Sequence, residues 1–219
     1  MANVKALVKQ SSVARGTEGN FEYIRAINDG SLVTVPWIQS LALEGRIFTA
    51  NFGSATSPAT LDASYAATDP DVSMDIPSGT SIIPLKVAVH FEAYGTIAVC
   101  ETYTVCSKTL AAKSAGTQVV PANYNTGSAI GSSCLFYTAP TVTDPNTTGS
   151  FELFRFLQQN AITQAVNEST DYQFTWSIGD VGFAPVLKGP SSMTTWATSQ
   201  AATGYIYYVW AEFPSSYLP

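Results

Sequence analysis

PLKVAVHFEAYGTIAVCETYTVC, residues Pro84 to Cys106, alternates apolar and polar side chains through most of its length. In its first half Leu85, Val87, Val89 and Phe91 point to one side of an extended chain and Lys86, Ala88, His90 and Glu92 to the other. That is the period-two pattern of a strand with one face in a core and one in water. After Tyr94-Gly95 a second run puts Ile97, Val99, Tyr103 and Val105 on one face, so the two runs read as a long β-hairpin. Glu101 lands on that apolar face and marks a bulge or a specific contact.

Outward from this stretch, further short apolar runs rich in β-branched and aromatic residues recur between clusters of Gly, Pro, Asn, Asp and Ser. The expected strands are Ser31 to Val35, Arg46 to Phe52, Val72 to Ile76, Ile82 to Tyr94, Thr96 to Cys106, Ser132 to Tyr137, Tyr172 to Ile178 and Tyr205 to Phe213. This is the sequence form of an all-β sandwich or barrel. One helix is expected, from Phe151 to Val166, where Phe151, Phe154, Leu157, Ala161 and Ala165 recur at intervals of three or four after a Thr-Thr-Gly-Ser start. Ser107 to Gly131 and Thr138 to Gly149 read as uncharged loops. With 219 residues, one domain over residues 26–219 preceded by an N-terminal arm, residues 1–25, is the expected organisation.

Charged residues make up 12 % of the chain, against roughly 25 % in ordinary globular proteins, and the net charge is −6. A surface this poor in charge is expected to be covered in part by neighbours. The acidic balance argues against neutralising phosphates by counterion release, so nucleic-acid contact is expected to be indirect or absent. In the arm, Lys5, Lys9, Arg15 and Arg25 face only Glu18 and Glu22. No run of eighteen apolar residues occurs, and MANVKALVKQ lacks the apolar core of a signal peptide. The three cysteines leave at least one thiol free. Cys100 and Cys106 stand about 20 Å apart on a continuous strand. Reduced, buried thiols made in a cytosol are favoured over a disulfide to Cys134.

Chemistry is sparse. His90 is the single histidine, which argues against His-based zinc sites and against Ser-His-Asp or Cys-His nucleophilic sites. It reads as a surface imidazole beside Lys86 and Glu92, with a pH-sensing role at a subunit contact as the sharper alternative. Cys134 reads as a buried strand residue rather than a nucleophile. Asp69, Asp71 and Asp75 form an oxygen cluster of the kind calcium takes, but a turn followed by a strand explains them more simply. Glycosidase carboxylates, distant along a chain, are neither indicated nor eliminated. No phosphate-binding loop, dinucleotide motif or CxxC pair is present, so no cofactor, metal or small-molecule substrate is expected. Asn146-Thr-Thr148 and Asn167-Glu-Ser169 match the glycosylation triplet and are expected to be unused. Tyr205, Tyr207, Tyr208, Trp210, Phe213 and Tyr217 crowd the C-terminal strand on both faces. Such a strand is covered on both sides, either by a neighbouring subunit, which makes these six the candidate interface residues, or by the chain's own loops.

The stretch Gly45 to Gly95, with GRIFTANFG early and IPSGTSIIPLKVAVHFEAYGT later, resembles the single vertical jelly-roll capsid proteins of tailless, membrane-containing icosahedral phages and archaeal viruses. The resemblance lies in a short strand, a Ser/Thr/Ala-rich connection, then Pro-Ser-Gly-Thr leading into a long alternating strand. It implies an antiparallel β-sandwich of jelly-roll type, capsomers built from copies of the chain, a second capsid protein as a further partner, and proximity to an internal viral membrane. It also implies a virion location after synthesis in the host cytoplasm. The function expected on these grounds is a structural, non-enzymatic subunit that self-assembles into an icosahedral shell. The competing expectation is an oligomeric carbohydrate- or receptor-binding β-sandwich that displays Trp37, Trp176 or Trp196 around a concave polar site. A jelly-roll glycosidase rests on fold analogy alone.

Overall fold

The computed structural model describes residues 36–93, 99–145, 149–159, 172–199 and 202–217. The expected arm 1–25, the strand Ser31 to Val35, the turn around Tyr94-Gly95 and both glycosylation triplets lie wholly or partly outside them. Thirteen strands follow one another: β1 (Ile47–Phe52), β2 (Ala59–Thr60), β3 (Val72–Ile76), β4 (Thr80–Ala93), β5 (Val99–Ser107), β6 (Thr117–Val119), β7 (Ala122–Asn123), β8 (Leu135–Thr138), β9 (Phe151–Gln159), β10 (Tyr172–Ser177), β11 (Leu187–Lys188), β12 (Ser191–Thr198) and β13 (Thr203–Pro214). Two short helices, α1 (Trp37–Leu43) and α2 (Ile178–Val181), and a final 3-10 turn, Ser215–Tyr217, complete the described chain.

The strands form two sheets, one ordered β10-β4-β13-β1-β7 with β11 and β2 at its ends, the other β6-β8-β3-β12-β5-β9. The eight strands of five residues or more are β1, β3, β4, β5, β9, β10, β12 and β13. Numbered first to eighth, they pair first with eighth, second with seventh, third with sixth and fourth with fifth, always antiparallel. A four-strand arm is therefore folded back on another four-strand arm, and the double ribbon is rolled into a sandwich, which is jelly-roll topology. The chain is an all-β, antiparallel sandwich of this type.

This topology corrects the expected hairpin. β4 pairs with β10 and β13 in one sheet, and β5 with β12 and β9 in the other. Alternation reports which way side chains face, and it carries no information about the partner. The facing of β5 is also the reverse of the expectation. Cys100 and Cys106 join the main core, whereas Tyr103 and Val105 lie on the outer face with Trp196. Trp196, Tyr103 and Arg155 form one cross-strand row there, the first two rings stacked at 4.9 Å and the guanidinium 4.1 Å above Tyr103. Glu101 is the contact its position foretold, for it binds Arg155, which Glu152 holds from the other side. Loop backbone seals this face: the indole of Trp196 donates to the Ala66 carbonyl at 2.9 Å, and Lys113 binds Asp75 at 2.6 Å while lying over the Tyr137 ring.

The expected helix from Phe151 is a strand as far as Gln159, and residues 160–166 lie outside the described residues. The misleading spacing comes from apolar residues on both faces of the strand, for Phe154 is buried while Phe151 and Leu157 are exposed. The strand also carries a bulge: Thr104 faces Phe154 while Val105 faces Glu152, so Leu153 is the extra residue. Leu153, Phe154 and Phe156 all pack against the core. The same device works on β4, where Pro84 faces Trp210 and Lys86 faces Val209, leaving Leu85 between them. Leu85 consequently leaves the row of Val87, Val89 and Phe91 and packs with Leu41 of α1 on the outer face.

Between the sheets lie Phe48, Met74, Ile82, Phe91, Phe136, Met193, Ile206 and Trp210, all nearly inaccessible to water. All three cysteines are free and buried there; burial pushes the Cys106 thiol up to about 12 and raises Cys134 as well, so both stay protonated. One polar tie crosses the core: Tyr208 of the first sheet bonds Thr195 of the second, which bonds Thr104 beside it. Burial raises the phenol's affinity for its proton, so the tie is neutral. Tyr208→Phe leaves the two threonines satisfied by each other and should cost about 1 kcal/mol in urea unfolding. The double change Thr104→Val, Thr195→Val strands the buried phenol and should cost more, about 1–3 kcal/mol.

Candidate functional site

The outer face of the first sheet is divided. Over one half lies α1, whose Leu41, with Ile38 and Ala42, packs on Ile47, Leu85, Val209, Ala211 and Phe213. Among the described residues the other half is open and carries a shallow depression of about 480 Å³ lined by Thr49, Asn51, Ser54, Ala55, His90, Tyr205 and Tyr207. The register fixes its layout. Gln173, His90 and Tyr205 form one cross-strand row, and Thr175, Ala88, Tyr207 and Asn51 form the next. The imidazole of His90 sits 5.6 Å from the Tyr207 ring, and Lys86 places its ammonium 5.0 Å from the same ring.

This arrangement narrows the expected interface row. Tyr208 and Trp210 point into the main core and Phe213 lies beneath α1, so the chain itself buries these three. Tyr205 and Tyr207 alone of the strand's aromatics are half-exposed, and Tyr217 closes the final 3-10 turn. The expected cover on both faces is present only over the Phe213 half, where α1 supplies the second cover; over Tyr205 and Tyr207 the outer face is not covered by α1. The three tryptophans of the competing expectation do not converge either. Trp196 and Trp176 are buried, and Trp37, at the start of α1, is 46 % exposed.

Exposed apolar side chains gather on the two flanks of the sandwich. At the β7 edge stand Leu43, Tyr124 and Ile130, held by a dense set of side-chain bonds. Asn123 Nδ2 donates to the carbonyls of Gly45 and Ile130 at 2.8 and 3.0 Å, and Asn125 Nδ2 donates to that of Leu43 at 3.1 Å. Gly45 has φ +68, and a Cβ there would come within 2.3 Å of Ser128 Oγ, so glycine is required for the loop to close. The Glu212 carboxylate receives Ser132 Oγ at 2.8 Å and the Ser133 N–H at 2.7 Å. From Ser114 to Thr143 the chain has no charged residue. The opposite flank, where β9 and β10 are the last described strands of their sheets, presents Phe151 and Leu157 and, beyond α2, Phe183 and Val186; Phe183 is 73 % exposed. Ser177 caps α2 by accepting from the Asp180 N–H at 3.2 Å, and Gly182 ends it, which fixes the direction in which Phe183 leaves.

Asp69, Asp71 and Asp75 do not converge. Asp69 is exposed, and Asp75 is engaged by Lys113. Asp71 is buried with Oδ2 receiving the Ala197 N–H at 2.6 Å and Oδ1 that of Asp62 at 3.2 Å. Its side chain thus extends the β3–β12 ladder one step beyond Val72 and pins the loop that begins at Asp62. Among the described residues no group of three His, Cys, Asp or Glu side chains is placed to hold a metal ion, and no helix is long and apolar enough to cross a membrane.

Comparison with known protein families, with curated proteins and with solved structures finds no match to this chain.

Burial pushes the Asp71 carboxyl up to about 8, aided by the charge of Asp62 and opposed by the two N–H donors. A carboxyl that binds its proton more tightly when folded stabilises the fold below its unfolded pKa and loses that contribution as pH rises through the folded value. Between about pH 4 and pH 8 stability should therefore fall as pH rises, with a slope approaching about 1.4 kcal/mol per pH unit. Asp71→Asn should flatten this part of the profile in urea melts run across the range.

Proposed function

We propose that the chain is a structural subunit that assembles with copies of itself into the shell of an icosahedral virion. The observation that carries this reading is the pair of exposed apolar flanks on opposite sides of one jelly roll. The tightly bonded Leu43–Tyr124–Ile130 surface is on one side, and Phe151, Leu157, Phe183 and Val186 are on the other. Exposed apolar side chains clustered on a monomer mark interaction sites. Two unlike surfaces on opposite flanks suit a head-to-tail contact, which closes into rings when the rotation between copies closes. Jelly rolls are a common architecture of viral shells, and the low charge of the chain fits a subunit with several neighbours. The assignment to a virion leans in addition on the resemblance of Gly45 to Gly95 to the vertical jelly-roll capsid proteins.

Native mass spectrometry of paired variants tests the head-to-tail contact. Ile130→Asp on one flank and Phe183→Asp on the other should each abolish rings, because each leaves a single competent surface. Mixed together, the two variants should form capped 1:1 pairs through the surfaces that remain. Rings that survive both changes would overturn the proposal.

A further inference from the structure

We infer that the open half of the first sheet's outer face is a binding platform for a short neutral oligosaccharide. This is a separate activity and does not depend on assembly. Four strands furnish the platform: Gln173 and Thr175 from β10, His90 and Ala88 from β4, Tyr205 and Tyr207 from β13, and Asn51 and Thr49 from β1. Two tyrosines separated by one residue on a strand stand about 7 Å apart on the same face, a spacing that offers apolar surface to neighbouring sugar rings. The Tyr205 ring is held in place, for it rests on Gly53, where a Cβ would come within 2.7 Å of its Cδ1. Ala88, between Tyr207 and Thr175 in the same row, is fully buried beneath its neighbours.

The polar groups around the rings are oriented by bonds that leave acceptor atoms outward. Asn51 Nδ2 donates to the Gly53 carbonyl at 2.6 Å, Thr49 Oγ1 to the Tyr208 carbonyl at 2.8 Å, and Gln173 Nε2 to Thr175 Oγ1 at 3.3 Å. The Oδ1 of Asn51 and Oε1 of Gln173 remain to receive hydroxyl donors. Apolar ring faces beside fixed amide and hydroxyl groups match the alternating faces and hydroxyl edges of a pyranose. Lys86 is turned over the Tyr207 ring. Among the described residues no carboxylate lines the depression.

Size decides against a second protein as the occupant. Four strands span about 14 Å, and three outward positions along a strand about 13 Å, or about 180 Å². A stable protein contact needs roughly 800 Å² on each partner. The α1 helix and the turn at Ser54 to Ser57 flank the platform. Two or three sugar rings fill it.

Saturation-transfer NMR on the full chain, with cellotriose, maltotriose and triacetylchitotriose as neutral probes and sialyllactose as the charged one, tests the inference. At least one neutral trisaccharide should receive saturation. Tyr205→Ala should weaken that binding about tenfold, and Asn51→Ala should weaken it less, with the melting temperature of the Asn51 variant unchanged. The inference is overturned by silence from all three neutral probes, by binding of sialyllactose alone, or by binding that both variants leave intact. Loss of self-association in Tyr205→Ala would overturn it too, by assigning the face to a protein contact.

Discussion

The pairing of β13 with β4 holds the molecule together. Thr203–Pro214 lies antiparallel to Thr80–Ala93 along nearly its whole length, and the two strands form the middle of the first sheet, with β10 and β11 added on one side and β1 and β2 on the other. Because β13 closes the described chain and β1 is its first strand, their adjacency forces the intervening chain to fold back on itself. Once the eighth long strand sits between the first and the third, the second and seventh must meet in the opposite sheet. The jelly roll follows from that single register.

The same pairing organises the surfaces. Its bulge turns Leu85 outward, and Leu85 joins Val209, Ala211 and Phe213 in the apolar floor on which α1 rests. Where α1 stops, that floor gives way to Tyr205, Tyr207 and His90. On the second sheet the outer face is roofed by the chain's own loops, through the Trp196 indole bond and the Lys113–Asp75 pair. One flat face of the sandwich is thus roofed and the other half-covered by α1. The proposed contact between copies falls to the flanks, where apolar side chains remain in water.

Strand existence was legible in the residues because a half-buried strand writes its facing into its sequence. Val72 to Ile76 matches β3 residue for residue, and β4, β5, β10 and β13 fall within a few residues of their expected bounds. What failed has a physical cause in each case. Partner choice is absent from alternation, so the β4–β5 hairpin was a wrong inference from a right pattern. Apolar residues on both faces of β9, Phe154 buried and Phe151 and Leu157 exposed, imitate helical spacing, and the bulge at Leu85 turns that residue to the other face. Strand β12, Ser-Ser-Met-Thr-Thr-Trp-Ala-Thr, gives no alternating signal because all eight of its residues are buried, small hydroxyls beneath the loops on one face and Met193 in the core on the other. The aromatic row was visible as a row, but not which of its members the chain would bury itself. His90 reads from the sequence as a surface imidazole beside Lys86 and Glu92, because its cross-strand neighbours Tyr205 and Gln173 are more than eighty residues away along the chain.

Low charge, two apolar flanks and a rolled sandwich whose second sheet is roofed by its own loops support the proposal that the chain works by contact with its own copies. Cryo-electron microscopy of the purified chain over a rising concentration series addresses that claim directly. The account predicts rings or closed shells whose subunits meet through the β7 flank of one copy and the β9–β10 flank of the next. A monodisperse monomer at every concentration, or particles joined through the tyrosine platform instead, would contradict it.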